Sequence, residues 1–324
     1  MDRAFHRAML KNSIEVRAEL ARLLDPPMDL TTIEAPVFDL AMTLNSGQVF
    51  HWEKIGDGFY GMIGDRAVYV EQRGDILKVR FGETSKPAGE TRARPKVVAR
   101  YFALDHPLEE ICGSLPRDPV MDAARDFCRG LRIIRQPQWE CLATFICSSM
   151  KQVAHIRQIS RALRQRFGEG KQFCGGEVFS FPSPDALARA TERELRKCGL
   201  GYRAKNLLAT AKRVASGEAD LDSWRALSER QLREQLCELP GVGMKVANCV
   251  MLFAYERIAA FPIDVWIERV LRETYFVGGR KVTSKAMAEF VSNYFGAHGG
   301  YAQQYLFHHA RMTGKRKSRT RSID

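Results

Sequence analysis

The run Leu239-Pro240-Gly241-Val242-Gly243-Met244-Lys245 constrains this chain more than any other. Ser228–Cys237 before it and Met244–Tyr255 after it carry helical apolar spacing, so the run must reverse the chain between two helices. Gly241 and Gly243 permit backbone angles closed to other residues. They also let a phosphate approach the exposed amides at the start of the second helix. Such a helix-hairpin-helix grips a nucleic-acid backbone without reading its sequence. The same residues also suit a plain αα-turn.

Lys245 lies at the mouth of the second helix, and Asp264 follows in Phe261-Pro262-Ile263-Asp264-Val265. An amine faced by a lone carboxylate suits nucleophilic attack on a sugar carbon, with the carboxylate as helper. The amine must be neutral part of the time, and a helix N-terminus or a dry pocket disfavours its ammonium form. Lys245, Cys249 and Phe253 fall at i, i+4 and i+8 and share a helix face, while Val246 and Val250 turn inward. A thiol and an aromatic beside the lysine suit a flat apolar ligand such as a base; they also suit plain core. Asp264 is placed to cap the next helix, and capping is compatible with catalysis.

Charge points the same way. Fifty Lys and Arg against 38 Asp and Glu leave +12, which favours a polyanionic partner. Five charges fall within Lys315-Arg316-Lys317-Ser318-Arg319-Thr320-Arg321, expected as a disordered phosphate-binding arm or import-like patch. Eight cysteines include no C-x-x-C pair, which speaks against a zinc ribbon, and none follows Cys249 to serve a C-terminal iron–sulfur cluster. They are expected as reduced, mostly buried thiols. With no apolar run of transmembrane length and no signal-peptide core, the expected setting is intracellular: cytoplasm or nucleoid, or nucleus if eukaryotic.

The fold class expected is α+β: a small antiparallel sheet domain, then a two-part all-helical body containing the hairpin. Residues 1–30 read as an N-terminal helical extension of one or two amphipathic turns ending at Asp25-Pro26-Pro27. Residues 31–118 read as the sheet domain, residues 119–139 with 257–312 as one helical subdomain, 140–256 as the other, and 313–324 as a basic tail. The sheet is expected as a meander over Val37–Leu44, Gln48–Trp52, Phe59–Ile63, Ala67–Glu71 and Ile76–Phe81, closed by a linker at Lys86-Pro87-Ala88-Gly89. Ser228 with Gln231 has capping-box spacing, and Asp185 is expected to open a helix after a Pro-rich turn.

These residues resemble the helix-hairpin-helix–Gly/Pro–Asp superfamily of base-excision DNA glycosylases, and within it the 8-oxoguanine DNA glycosylase/AP lyases. The likeness runs from about Pro36 to Arg311. It includes Leu44-Asn45-Ser46-Gly47-Gln48-Val49-Phe50-His51-Trp52, Glu140-Cys141-Leu142 with Phe145-Ile146-Cys147-Ser148-Ser149, Leu200-Gly201-Tyr202-Arg203-Ala204 and Gly300-Tyr301-Ala302-Gln303-Gln304-Tyr305-Leu306-Phe307.

The resemblance implies roles. Gly47 would offer its carbonyl to the N7 hydrogen that the oxidised base has and guanine lacks, a contact that discriminates strongly when buried. Phe307 and Cys249 would hold the two faces of the flipped base, with Phe253 in the pocket, and Gln303 would bond its Watson–Crick edge. Tyr202 would wedge into the stack and Arg203 would bond the orphaned cytosine, although alone the two read as an ordinary loop pair. Lys245 would attack C1′, expel the base and form a Schiff base, with Asp264 stabilising charge on the sugar; β-elimination then nicks the strand. No metal or organic cofactor is implied, and the partner is duplex DNA with 8-oxoguanine opposite cytosine, bound by a monomer.

The pattern departs in places. The family usually has asparagine at Met150 and arginine at His155, both near the orphaned cytosine, so a looser preference for cytosine is expected. A family histidine after the aspartate is Trp266, which can donate an indole hydrogen bond, for instance to phosphate. A family methionine is Phe253. The alternatives are an alkylbase or other oxidised-base glycosylase of the superfamily, against which Lys245 argues, and a non-catalytic DNA-binding protein.

Overall fold

The computed structural model describes residues 30–82, 94–148, 151–174, 176–276 and 282–320. The expected helical turns of residues 1–30 (Leu30 apart), the linker at Lys86–Gly89, and Met150 lie outside the described residues.

An antiparallel sheet forms first, in the spatial order β1-β5-β4-β3-β2. Its strands are β1 Thr31–Glu34, β2 Glu53–Ile55, β3 Gly58–Ile63, β4 Arg66–Arg73 and β5 Ile76–Phe81. Two-residue turns join β2 to β5 in a meander, and β1 adds at the edge with Thr31 opposite Val79.

Two runs expected as strands are not strands. Within Val37–Leu44 the chain forms helix α1, Leu40–Asn45. Asp39 caps it, accepting from Met42 N at 2.7 Å, and the buried Leu40, Thr43 and Leu44 stand at i, i+3 and i+4. Gln48–Trp52 crosses to β2 without ladder pairing. Gln48 explains why: it is fully buried, and its side chain donates to Thr43 O and Arg132 O and accepts from Ile134 N. That amide binds the segment to the helical body instead of to a neighbouring strand.

Both faces of the sheet are covered. Val68, Val70, Leu77 and Val79 pack against Val98 and Phe102, in and just after α2 (Arg94–Tyr101). On the other face Tyr60, Met62 and Tyr69 meet Phe173. Phe173 comes from a hairpin not anticipated in the sequence, β6 Gly170–Phe173 with β7 Gly176–Phe179.

The rest is helical: α3 Leu108–Ser114, α4 Pro119–Phe127, α5 Gln138–Ser148, α6 Val153–Phe167, α7 Pro184–Ala188, α8 Glu192–Leu195, α9 Arg203–Ala215, α10 Glu229–Cys237, α11 Met244–Ala254, α12 Val265–Thr274, α13 Ser284–Phe295 and α14 Gly299–Thr320. Ser183, not Asp185, caps α7; Asp185 sits in its first turn. Ser228 and Gln231 form the capping box of α10. The backbone of the basic tail, expected as disordered, continues α14 to Thr320. Helix α11 is buried from Val246 to Ala254 except at Asn248. Helix α14 returns to the start of the chain, where Gln304 Nε2 donates to Ser46 O at 3.2 Å. Among the described residues no helix is long and apolar enough to cross a membrane.

Candidate active site between the hairpin and the sheet

The hairpin turns as its glycines require, but for two different reasons. Gly241 has φ +84°, and a Cβ there would lie 2.8 Å from Asn206 Cβ, so only glycine fits. Thr210 Oγ1 fixes the turn by donating to Pro240 O at 3.0 Å. Gly243, expected to need a special angle, does not: its φ of −102° and ψ of −179° are open to any residue. A Cβ on it would meet nothing, and it gives α11 no side-chain cap. Its contribution is access to the first amides of α11.

Lys245 Nζ stands 5.2 Å over the Phe145 ring and 3.2 Å from Ser148 Oγ. Ser148 passes its own hydrogen to Phe145 O at 2.7 Å, so its lone pairs face the lysine. Cys249 is buried on the same helix face, and burial pushes its thiol up to about 11, the Lys245 charge opposing; it is a neutral thiol at pH 7. Phe253, expected as a pocket wall, stacks on Phe145 with ring centres 5.5 Å apart and planes at 11°. Asp264 caps α12, with Oδ1 accepting from Trp266 N at 3.1 Å and Ile267 N at 2.9 Å. Burial raises its carboxyl above the usual range; the Ile267 amide and the Lys245 charge pull the other way. So Asp264 caps a helix and feels the lysine at once.

The second half of the site is Gly47. Its φ is +93°, and a Cβ there would lie 3.0 Å from Phe307 Cε1 and 3.1 Å from Arg311 Nη1. Both the angle and the close approach demand glycine. Gln303 is buried beside Phe307 in sequence, and its Oε1 is buried without a hydrogen-bond partner. Two contacts tie this half to the lysine's half. Gln136 Nε2 donates to Gln48 O at 2.8 Å while Gln136 N donates to Phe253 O at 2.7 Å. Phe50 meets Phe145 edge-on at 6.1 Å.

The remaining expected residues that the structure describes lie on other elements. Tyr202 is 62% exposed just before α9. Arg203 is buried, its guanidinium 4.3 Å from the Tyr202 ring centre, and it donates to Leu200 O. His155 is exposed in the first turn of α6. Trp266 lies half-buried with Arg269 over its ring at 5.5 Å. Glu140, in a motif read as lying beside DNA, is buried and paired to Arg164 and His51. Sequence reasoning quoted Ser148 only as part of a motif and gave Arg311 no role; each acts through a partner distant in sequence, and nothing local announces that.

Comparison with known proteins shows the family. Residues 31–142 match the family model described as 8-oxoguanine DNA glycosylase, N-terminal domain, and residues 143–294 the model described as HhH-GPD superfamily base excision DNA repair protein. A probable N-glycosylase/DNA lyase of Methanothermobacter thermautotrophicus is 30% identical over 86% of this chain and 95% of its own length. The Arabidopsis thaliana N-glycosylase/DNA lyase OGG1 is 32% identical over 87% of this chain and 79% of its own. The structure of Clostridium acetobutylicum 8-oxoguanine glycosylase/lyase, with duplex DNA containing cytosine opposite 8-oxoguanine, superposes with a TM-score of 0.79 at 30% identity, covering 88% of this chain and 96% of that one. The chain belongs to the HhH-GPD superfamily of base-excision DNA repair proteins, and within it to the N-glycosylase/DNA lyases that carry the 8-oxoguanine DNA glycosylase N-terminal domain.

Proposed function

We propose that this protein is a bifunctional DNA glycosylase/AP lyase that removes 8-oxoguanine from duplex DNA. The observation that carries the reading is the link through Gln136. It joins the Gly47–Gln48 turn to Phe253 on the helix of Lys245, placing a backbone carbonyl suited to N7–H and an amine nucleophile in one rigid unit.

The reading assigns these roles. The open N-terminus of α11, at Gly243, takes a phosphate, with Gly241 setting the turn. The target nucleotide leaves the stack, with Tyr202 filling the gap and Arg203 turned toward the orphaned base. Gly47 O accepts from N7–H, Phe307 and Cys249 hold the two faces with Phe253 supporting, and Gln303 bonds the Watson–Crick edge. Lys245 attacks C1′, the base departs, and the Schiff base undergoes β-elimination; Asp264 stabilises charge on the sugar. The roles of Met150, His155 and Trp266 are contacts to the DNA around the lesion. The enzyme acts as a monomer, without metal or organic cofactor.

Borohydride reduction during turnover of an 8-oxoguanine duplex tests this. A covalent protein–DNA adduct that disappears in Lys245→Gln is expected. An active preparation that excises the base yet gives no adduct would refute the lysine mechanism.

A further inference from the structure

Arg311 carries a charge that neither the fold nor the lysine chemistry accounts for. It is 7% exposed, and no carboxylate pairs with it among the described residues. Nη2 donates to Asn45 O and lies 3.2 Å from His308 Nδ1. Nε is buried without a partner. Nη1 makes no hydrogen bond among the described residues, yet it sits 3.1 Å from where a Cβ on Gly47 would stand. The guanidinium carbon is 5.5 Å from the Phe307 ring centre. Burial, with the Arg157 charge second, pulls Arg311 down to about 10, so it stays a cation at neutral pH. Arg157 adds a second cation: its Nη2 donates to Asn45 Oδ1 at 2.9 Å, and its Nε is also buried without a partner. Two guanidinium groups thus converge on Asn45; Glu53 offsets the Arg157 charge, and among the described residues no carboxylate offsets that of Arg311. An uncompensated buried charge is unfavourable until an anion arrives.

We propose that Arg311 is a further catalytic residue, whose Nη1 hydrogens donate to the C8 oxygen of the flipped base and take up negative charge as the base leaves. This rests on the reading of the site given above. The carbon bearing that oxygen is bonded to N7, so a group beside Gly47 is within its reach when Gly47 O accepts from N7–H. In the step, the Lys245 lone pair forms the N–C1′ bond. The C1′–N9 bond breaks and its electron pair stays with the base, spreading from N9 through C8 to the oxygen that Arg311 faces. The proton lost by the lysine nitrogen passes through Asp264 and ends on the base. Guanine has a C–H at that position and offers no acceptor, so the same cation also discriminates. A preorganised donor aimed at developing charge is the kind of group whose loss slows a reaction most.

The test compares single-turnover excision of 8-oxoguanine with nicking of a duplex that already contains an abasic site, which has no base to expel. Arg311→Met is expected to lose excision by about 100-fold or more while abasic nicking stays within about threefold of wild type. Arg311→Gln, which keeps donors for Asn45 O without the charge, is expected to behave likewise and serves if the Met variant does not fold. Wild-type excision in either variant overturns the proposal. Equal loss of both activities also overturns it, because Arg311 then only holds the Asn45 turn. A wild type that nicks abasic DNA but leaves 8-oxoguanine in place sinks the underlying reading instead.

Discussion

Ser148 Oγ accepts from Lys245 Nζ at 3.2 Å and gives its own hydrogen to Phe145 O. The lysine amine is therefore held against α5 by the serine oxygen, above the Phe145 ring. Ser148→Ala should loosen this placement. We expect a fall of roughly tenfold in the trapping rate, in line with one hydrogen bond, with DNA affinity unchanged. A trapping rate equal to wild type would show that Ser148 has no part in placing the amine.

Asp264 does two jobs that substitution separates. Asparagine caps a helix about as well as aspartate, so Asp264→Asn should fold without losing stability yet lose activity by about 100-fold or more. Asp264→Ala should also lose about 1 kcal/mol of stability. Thermal melts read beside single-turnover rates decide this; a fully active Asn variant would reduce Asp264 to a cap.

The same carboxyl predicts a pH trend in stability. Burial raises Asp264 in the folded state above its ordinary value of 3.8, so the folded protein binds its proton more tightly than the unfolded chain does. Stability attributable to this group is fully present below that ordinary value. It is lost as pH rises through the raised folded value. Denaturant melts of wild type and Asp264→Asn should therefore diverge in favour of the asparagine protein as pH rises from about 4. A constant difference would mean that the carboxyl titrates alike in both states.

Gly47→Ala forces a β-carbon to a left-handed φ and against Phe307 and Arg311. We expect about 1–3 kcal/mol of strain. Excision of 8-oxoguanine should fall far more than nicking of preformed abasic sites, because only the former needs the carbonyl correctly presented. Parallel losses in the two assays would count against a base-reading role for Gly47.

Opposite-base preference is the fifth measurable. The resemblance implies arginine and asparagine where this chain has His155, exposed on α6, and Met150, so the preference for cytosine should be looser than that pair would give. His155→Arg with Met150→Asn should tighten it. Excision measured against all four opposite bases gives the answer, and strict cytosine dependence in the wild type would contradict the expectation.

The lysine, the aspartate and the hairpin were legible because each announces itself within a few residues: a turn that excludes side chains, an amine at a helix start, a cap before a helix. The motif at Gly47 pointed to a close backbone approach, and its left-handed φ beside Phe307 is one. Val37–Leu44 misled because its apolar residues fit a strand of period two nearly as well as the helix that Asp39 starts. Of the two reasons given for Gly243, the special angle is not needed, and the open space at the start of α11 is what a glycine leaves there. Ser148 and Arg311 escaped notice because what matters about them is a partner 97 or 266 residues away. A short polar hairpin such as Gly170–Phe179 has too little apolar alternation to register; its strands are fixed by the sheet they cover.

Gln48 has a consequence for how the molecule breathes. Its one side chain holds Thr43, Arg132 and Ile134, and its carbonyl takes Gln136. Opening the Gly47–Gln48 turn alone would strand a buried amide and four partners away from water. The turn and the core of the helical body should therefore exchange their amide hydrogens as one cooperative unit, with Ile134 N–H among the slowest in the protein.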